Sequence, residues 1–490
     1  MSVKSDYFLA IDLGAESGRG ILGELTEESL SLRELHRFPN VPLQEGDSLH
    51  WNTDALQAGV KDCLKAASGT ALRGVSCDSW GLDYVLIDRD GNWMEPTYHY
   101  RDPRCPEGVK AVHAKVDLET IFEETGIQHM PINTIYQLGI EASDRLAQAD
   151  RFLMIGDAVN ARLSGVDCCE ESLASTSALY NPRTGNWSEP LRKSLSLPSH
   201  FFPRVVASAT VLGKLQEAYC SSENHQQTLV IASCSHDTAC AVAATPAEGD
   251  DWAYISSGTW SLMGVEIPKP IINRESRVAN FTNELGVGRS VRLLKNLSGL
   301  WLVQECRRSW KSLGSAFSYQ ELTDLASEAE GLPSLIDPSD DRFVRPTSMP
   351  EEIQAYCRET DQTVPETEGE IVRCALVSLA LEYAETLEKV DALRGRQSSV
   401  LHIVGGGSQN RLLNQFAANA CHLPVLSGPA EATAAGNILT QAIGVGCLAS
   451  LAEARRVSKA SFSVERVEPT ESPEWLQARR RFRSLPGRHS

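Results

Sequence analysis

A chain of 490 residues that is 42% hydrophobic and 22% charged has the make-up of an ordinary folded protein, long enough for several domains or for two large lobes around a cleft. A formal net charge of −18 argues against nucleic acid as a partner, because such binding draws on clustered Lys and Arg. It does not exclude a nucleotide, which backbone N–H groups and helix N-termini can hold locally.

The first apolar run, Phe8–Ile11, is too short for a secretory leader core and reads instead as a buried strand. It belongs to Tyr7–Gly14, which turns through Ala15-Glu16-Ser17-Gly18-Arg19 and resumes as the strand Gly20–Leu25. Next comes Asp78-Ser79-Trp80-Gly81-Leu82-Asp83, between the strand-like stretches Gly74–Cys77 and Tyr84–Ile87. Two acids, an indole and a glycine in six residues suit a polyol site, since carboxylates accept from several hydroxyls and an aromatic face covers the apolar side of a sugar. The same residues also suit a plain hairpin with surface acids. Further on, Val230-Ile231-Ala232 leads through Ser235-His236-Asp237-Thr238 into the small apolar stretch Ala239–Ala244, a strand running into a helix with an Asp at the junction. That Asp is either a helix cap or a general base that takes the proton of a hydroxyl, and the helix start would keep it ionised. His236 by itself reads as structural.

Turn-forming residues at Thr245–Asp251 mark a lobe boundary. Beyond it Trp252–Ile255 turns through Ser256-Ser257-Gly258-Thr259 and resumes as Trp260–Val265, a second hairpin of the first one's design. The longest helix is expected from a capping box at Thr367 and Glu370 to a stop at Gly395, with Ile371, Ala375, Leu379, Tyr383, Leu387 and Val390 on one face. A strand Val400–Val404 then delivers Gly405-Gly406-Gly407 ahead of a helix over Asn410–Ala420, an order typical of α/β proteins. The most apolar stretch, Ile438–Ala449, is interrupted by Gln441 and falls well short of the roughly 18 residues of a membrane span. The basic end Arg479–Ser490 is expected to be exposed and frayed. Thirteen cysteines without a C-x-x-C argue against a zinc or thioredoxin-like site and for free thiols in the cytoplasm, Cys357 and Cys374 being a pair the fold could join.

No P-loop, no G-x-G-x-x-G and no protein-kinase motif set occurs. Two Gly/Ser/Thr hairpin tips and a triple-glycine turn remain, and each is either a tight turn or a place where backbone N–H groups meet an oligophosphate.

In this order the motifs resemble the FGGY carbohydrate kinases, from Tyr7 to about Val457. The resemblance is carried by Ala10-Ile-Asp-Leu-Gly-Ala-Glu-Ser-Gly-Arg19, Asp78-Ser-Trp-Gly-Leu-Asp83, Tyr100-Arg-Asp-Pro-Arg104 and Ser235-His-Asp-Thr238. It continues through Ile255-Ser-Ser-Gly-Thr-Trp-Ser-Leu-Met-Gly264, Leu294-Lys-Asn-Leu-Ser-Gly-Leu-Trp301 and Leu401-His-Ile-Val-Gly-Gly-Gly407. It implies an α/β, two-lobed actin-like ATPase (ribonuclease H-like) fold with the active site in the interlobe cleft. The lobes would be 1–246 and 247–460, followed by an extension 461–490. It further implies MgATP and a small sugar as partners, with no nucleic acid, no membrane, and a monomer or small homo-oligomer. Asp237 would be the base; Gly81, His236, Asp237, Thr238 and Asn296 would contact the sugar. Ala15, Glu16, Ser17, Gly18, Arg19 and Thr259 would cradle phosphates, Gln304 and Gly405 or Gly406 would lie on the nucleotide, and Asp12 would hold Mg²⁺ through water. Glu16 departs from the small residue of many relatives and is expected to point outward or toward Mg²⁺. The branch resembled most acts on L-rhamnulose at O1. Relatives acting on L-fuculose, D-xylulose, L-ribulose or glycerol would share the fold and chemistry. An actin-like ATPase would instead hydrolyse ATP without sugar, and a sugar-binding sensor would need no phosphate loops.

Overall fold

The computed structural model describes residues 5–332 and 334–488, which form two compact units. The first takes the chain up to Pro246 together with Glu266–Leu293 and Glu431–Phe462; the second takes Ala247–Val265, Leu294–Ala430 and the chain from Ser463 on.

In the first unit a six-stranded sheet runs in the order Thr210–Lys214, Leu229–Ala232, Leu72–Ser79, Asp6–Leu13, Ser17–Leu25, Leu30–Pro39. The strand Asp6–Leu13 is antiparallel to Ser17–Leu25 and parallel to Leu72–Ser79, which is in turn parallel to Leu229–Ala232. Its continuous apolar run follows from cover on both faces, since side chains alternate along a strand. Leu9, Ile11 and Leu13 join a core with Leu56, Val60 and Leu64 of the helix Thr53–Ala66. Phe8 and Ala10 join a second core with Ala434, Ala435, Ile438, Leu439 and Ala442 of the helix Ala432–Gly444. That apolar helix is therefore a core element, and no helix among the described residues is long and apolar enough to cross a membrane.

The second unit repeats the pattern. Trp252–Ser257 is antiparallel to Trp260–Ile267 and parallel to Val400–Val404, which is parallel to Val425–Ser427, itself antiparallel to Glu465–Val467. Each sheet thus has a hairpin, two parallel strands beyond its first strand, and an antiparallel edge strand. The helix Glu368–Arg394 begins in the Thr367/Glu370 capping box and ends at Gly395, whose φ of 70° is a conformation that glycine adopts without strain. Its expected face is buried, and so is most of the remaining surface.

Several expectations need correction. The first hairpin resumes at Ser17, so Ser17, Gly18 and Arg19 belong to a strand and not to the turn. The second hairpin keeps Ser256 and Ser257 in its first strand. The stretch after the triple glycine starts its helix at Arg411, with the Asn410 side chain capping it. The division near Pro246 is present, but residues 266–293 and 431–462 return to the first unit instead of filling a continuous 247–460 lobe. The physical reason for the second return is visible in the helix Ala432–Gly444: Asn437 and Gln441 reach Asp78 and the Leu9 carbonyl while its small residues pack on the helix Asp237–Ala243. Nor is the C-terminal stretch frayed as far as Arg488. Phe482 is fully buried, Arg479 is ion-paired with Glu385 and Glu388, and Arg488 with Glu382 and Asp337. His489 and Ser490 lie outside the described residues.

Close approach of the two small-residue helices depends on Gly436, where a Cβ would stand 1.8 Å from the Cys240 carbonyl oxygen. Gly436→Ala should raise helix propensity yet lower stability, by about 1–3 kcal/mol for overpacking. Thermal unfolding followed by circular dichroism checks this, and an unchanged or higher Tm would show that the helices move apart freely.

Candidate active site

Two adjacent parallel strands of the first unit each carry an acid at the next-to-last position. Asp12 and Asp78 are register partners, and Arg19 faces Asp12 from the other side across the hairpin. Such burial of like charges needs compensation. The Arg19 guanidinium is ion-paired with Asp12 and donates to Glu431 Oε2 at 2.7 Å. Asn437 Nδ2 donates to Asp78 Oδ2 at 2.5 Å, whereas Asp78 Oδ1 is buried without a hydrogen bond. Burial, with the Asp12 charge beside it, pushes the Asp78 carboxyl well above its ordinary range.

Asp237 joins this group at the first position of the helix Asp237–Ala243. The preceding residues are held from two sides. Ser79 N–H donates to the Ser235 carbonyl at 2.8 Å, making a parallel bridge between Ser79 and His236. Ser235 N–H donates to Glu170 Oε2 at 2.9 Å, and His236 N–H donates to Ser172 Oγ at 3.3 Å. Both amides sit between a strand and a helix, where neither element can satisfy them, so a buried carboxylate and hydroxyl do it. Asp237 Oδ1 accepts from the N–H and the hydroxyl of Thr238, at 2.5 and 3.1 Å, and faces His236 Nε2 at 3.4 Å. Oδ2 makes no hydrogen bond among the described residues, and the side chain keeps 31% exposure. Burial and Asp12 push the Asp237 carboxyl up to about 7. His236 is driven the other way, well below its ordinary value, first by burial and then by the Arg292 charge.

Gly81 follows the same bridge, two residues past Ser79, and a Cβ there would press 3.0 Å from Thr176 Oγ1. Leu82 has a φ of 77°, a strained value for a side chain with a Cβ; its N–H donates to Thr176 Oγ1 and its carbonyl accepts from Thr134 Oγ1. Asp78 and Asp83 are both fully buried, which corrects the surface-acid reading. Asp83 is not free to meet a polyol either. Its Oδ2 accepts from Trp51 Nε1 at 2.6 Å, Trp80 Nε1 at 3.0 Å and Tyr100 N–H at 3.2 Å, and its Oδ1 accepts from Gln137 at 2.9 Å. Trp80 lies against Trp51, with ring centroids 4.1 Å apart.

The Gly14–Ser17 turn closes through Gly14 N–H to the Ser17 carbonyl and is braced by Asn40, which donates to the Gly14 and Glu16 carbonyls. Ala15 is half-buried and Glu16 is exposed. Gly18 is a strand residue packed on the Phe38 ring, and the Arg19 head is engaged with carboxylates.

In the second unit, the Gly258-Thr259 tip is fastened to the start of the helix Trp301–Ser312: Leu300 and Trp301 donate to the Gly258 and Thr259 carbonyls at 3.0 and 3.2 Å. Gly299 permits this, since a Cβ there would lie 2.6–2.8 Å from the tip backbone. Gln304 stands on that helix with Oε1 buried and without a hydrogen bond. Gly405, at a φ of 84°, and Gly407 close on Ser257, whose Oγ is likewise buried and unbonded, whereas nothing lies within 4 Å of a Cβ built at Gly406. Asn296 is half-buried on the strand Val291–Ser298. The structure thus groups Asp12, Gly81, His236, Asp237 and Thr238 in the first unit and Thr259, Gln304, Gly405 and Gly406 in the second. Glu170, Ser172, Glu284, Arg292 and Asn437 were missed in the sequence. None of these positions carried a local signal: even Arg292 shares its strand, Val291–Ser298, with Lys295, Asn296 and Ser298.

Comparison with known proteins adds three findings. A model of the FGGY family of carbohydrate kinases, N-terminal domain, matches residues 7–244, and the family's C-terminal domain matches 253–445. Curated rhamnulokinases are similar over nearly the whole chain: that of Bacteroides thetaiotaomicron is 41% identical over 97% of this chain and 99% of its own. That of Enterococcus faecalis is 40% identical over 94% of each. Among solved structures, ligand-bound xylulose kinase from Lactobacillus acidophilus superposes with a TM-score of 0.79 at 13% identity, covering 97% of this chain and 96% of its own. Plasmodium falciparum glycerol kinase with ADP gives 0.77 at 14%, covering 98% of each. At such low identity these two show the fold alone.

Asp83→Ala would strand three or four buried donors, each worth about 1–3 kcal/mol when left unsatisfied. The variant should lose about 3 kcal/mol or more in urea unfolding monitored by tryptophan fluorescence. A loss below 1 kcal/mol would mean that the donors find water.

Proposed function

This chain belongs to the FGGY family of carbohydrate kinases, and from that membership we propose that it transfers the γ-phosphoryl group of ATP to O1 of L-rhamnulose, giving L-rhamnulose 1-phosphate and ADP. The sugar is supported by likeness to curated rhamnulokinases along almost the entire chain. The chemistry is carried by one observation: Asp237 has one oxygen fixed by Thr238 and the other unbonded, on a carboxyl pushed up to about 7. That oxygen accepts the proton of the attacking hydroxyl, and a pKa near the working pH suits a general base. Gly81, His236, Thr238 and Asn296 are the proposed sugar contacts.

The turn at Ala15–Ser17 and the tip at Thr259 are the proposed phosphate-binding backbone, with Gly405, Gly406 and Gln304 toward the nucleoside. The fit rests on unsatisfied atoms: Gln304 Oε1 is a buried acceptor for an amino group, and Gly406 leaves its backbone open to close approach. Mg²⁺ takes few protein ligands beside phosphate oxygens and water. Asp12, with the unbonded Asp78 Oδ1 beside it, is the proposed holder. Bound Mg²⁺ supplies charge neutralisation on the phosphates. The chain's own work is to position the hydroxyl, accept its proton at Asp237 and hold both substrates.

ADP release with MgATP should be stimulated strongly by L-rhamnulose and weakly by L-fuculose, D-xylulose, L-ribulose and glycerol. Preference for another member would overturn the substrate, and sugar-independent release would overturn the kinase reading. Asp237→Asn should lower kcat by about 10²–10⁴-fold while MgATP binding persists. Since only the ionised carboxyl accepts a proton, kcat/KM for the sugar should fall as pH drops through about 7, the value to which Asp237 is raised. A pH-independent kcat/KM between pH 6 and 8 would remove Asp237 from that role.

A further inference from the structure

Arg292 is completely buried on the strand Val291–Ser298. A guanidinium in that position must be paired and hydrogen-bonded to be tolerated. Its Nε and Nη2 donate to the Leu285 carbonyl at 3.1 and 3.0 Å, and Nη2 lies 3.2 Å from Glu284 Oε2. The same Nη2 lies 3.1 Å from His236 Nδ1. A guanidinium can donate but not accept, so the Nδ1 facing it must offer a lone pair, and a neutral ring then carries its hydrogen on Nε2. Burial and the Arg292 charge both disfavour the imidazolium, so the ring is neutral. The Nε2 hydrogen faces Asp237 Oδ1 at 3.4 Å, longer than an ordinary N–H···O bond, and the donor is left available to a nearer oxygen. Glu284 Oε2 also lies 3.4 Å from Nδ1 and would draw a proton onto it were Arg292 absent.

We propose that Arg292, braced by Glu284, is a positioning residue that fixes His236 as the Nε2–H tautomer, so that the ring presents a hydrogen-bond donor to the acceptor sugar beside Asp237. The catalytic consequence rests on the sugar-kinase reading of this site; the tautomer does not. Arg292 holds a proton off one nitrogen and thereby onto the other. With a donor at His236 and an acceptor at Asp237, a single hydroxyl oxygen can be held and deprotonated at once.

The test uses the full chain labelled with ¹⁵N-histidine, the His236 resonances being assigned by their loss in His236→Gln. In the unsubstituted protein Nδ1 should resonate as a lone-pair nitrogen and Nε2 as N–H from pH 6 to 8. Arg292→Met should move a proton onto Nδ1, and the double variant Arg292→Met, Glu284→Gln should return it, because the amide at 284 replaces the lost donor. Kinetically, Arg292→Met should raise the sugar KM roughly 10-fold, the worth of one hydrogen bond, with the KM for ATP little changed, and the double variant should recover most of that loss. A hydrogen on Nδ1 in the unsubstituted protein overturns the proposal, even if the variants fail to fold. So does a double variant that is no better than Arg292→Met in both spectrum and KM. If no sugar stimulates ADP release, the kinase reading fails, and the spectrum alone decides the tautomer.

Discussion

Asp12 and Asp78 stand side by side where two parallel strands end, both largely shut off from water, and much of the first unit is arranged around that pair. Two carboxylates in such a place repel each other and each loses hydration. Arg19 answers Asp12 from the hairpin, and Asn437 answers Asp78 from a helix 359 residues further along the chain. Glu431, at the start of the same helix region, secures the far side of Arg19. This helix must therefore return to the first unit, and its small residues let it lie directly on the helix that begins with Asp237. Burial first, and then the charge of Asp12, raise the proton affinity of Asp237, so structural compensation and the proposed chemistry share one of these charges.

Much of the architecture was legible in the chain. Phe8-Leu9-Ala10-Ile11 reads as a buried strand, Thr367 with Glu370 reads as a capping box, and Gly395 as a stop, all as found. Asp237 was legible as an acid at a helix start, because a strand, a short turn and a helix follow in order there; the structure places it at the first helical position with His236 in the cap position, so the cap expected of it is not formed. The supports of that site were not legible. Arg292 meets His236 across 56 residues and Glu170 meets Ser235 across 65, and no local pattern marks partners so far apart. Turn boundaries slipped for a related reason: Ser17, Gly18 and Arg19 have turn-like composition, yet pairing with Leu30–Pro39 extends the strand through them.

Asp83 shows how a residue type can mislead. An acid beside Trp80 and Gly81 suits a sugar site, but the indole N–H groups of Trp51 and Trp80 both converge on the carboxylate. The aromatic stack with His99 and Tyr100 seals it. Asp83 therefore acts on the site at one remove, by fixing the segment from which Gly81 and the strained Leu82 extend.

The first unit draws its third segment, Glu431–Phe462, from near the end of the chain. During synthesis the N-terminal portion leaves the ribosome with Phe8, Ala10, Ile21 and Leu25 on a sheet face whose covering helix has not yet been made. At ordinary elongation rates that interval lasts on the order of 10–40 s after Pro246 appears. For that time the nascent chain carries an apolar sheet surface of the kind that chaperones bind, an exposure set by the segment order of the fold.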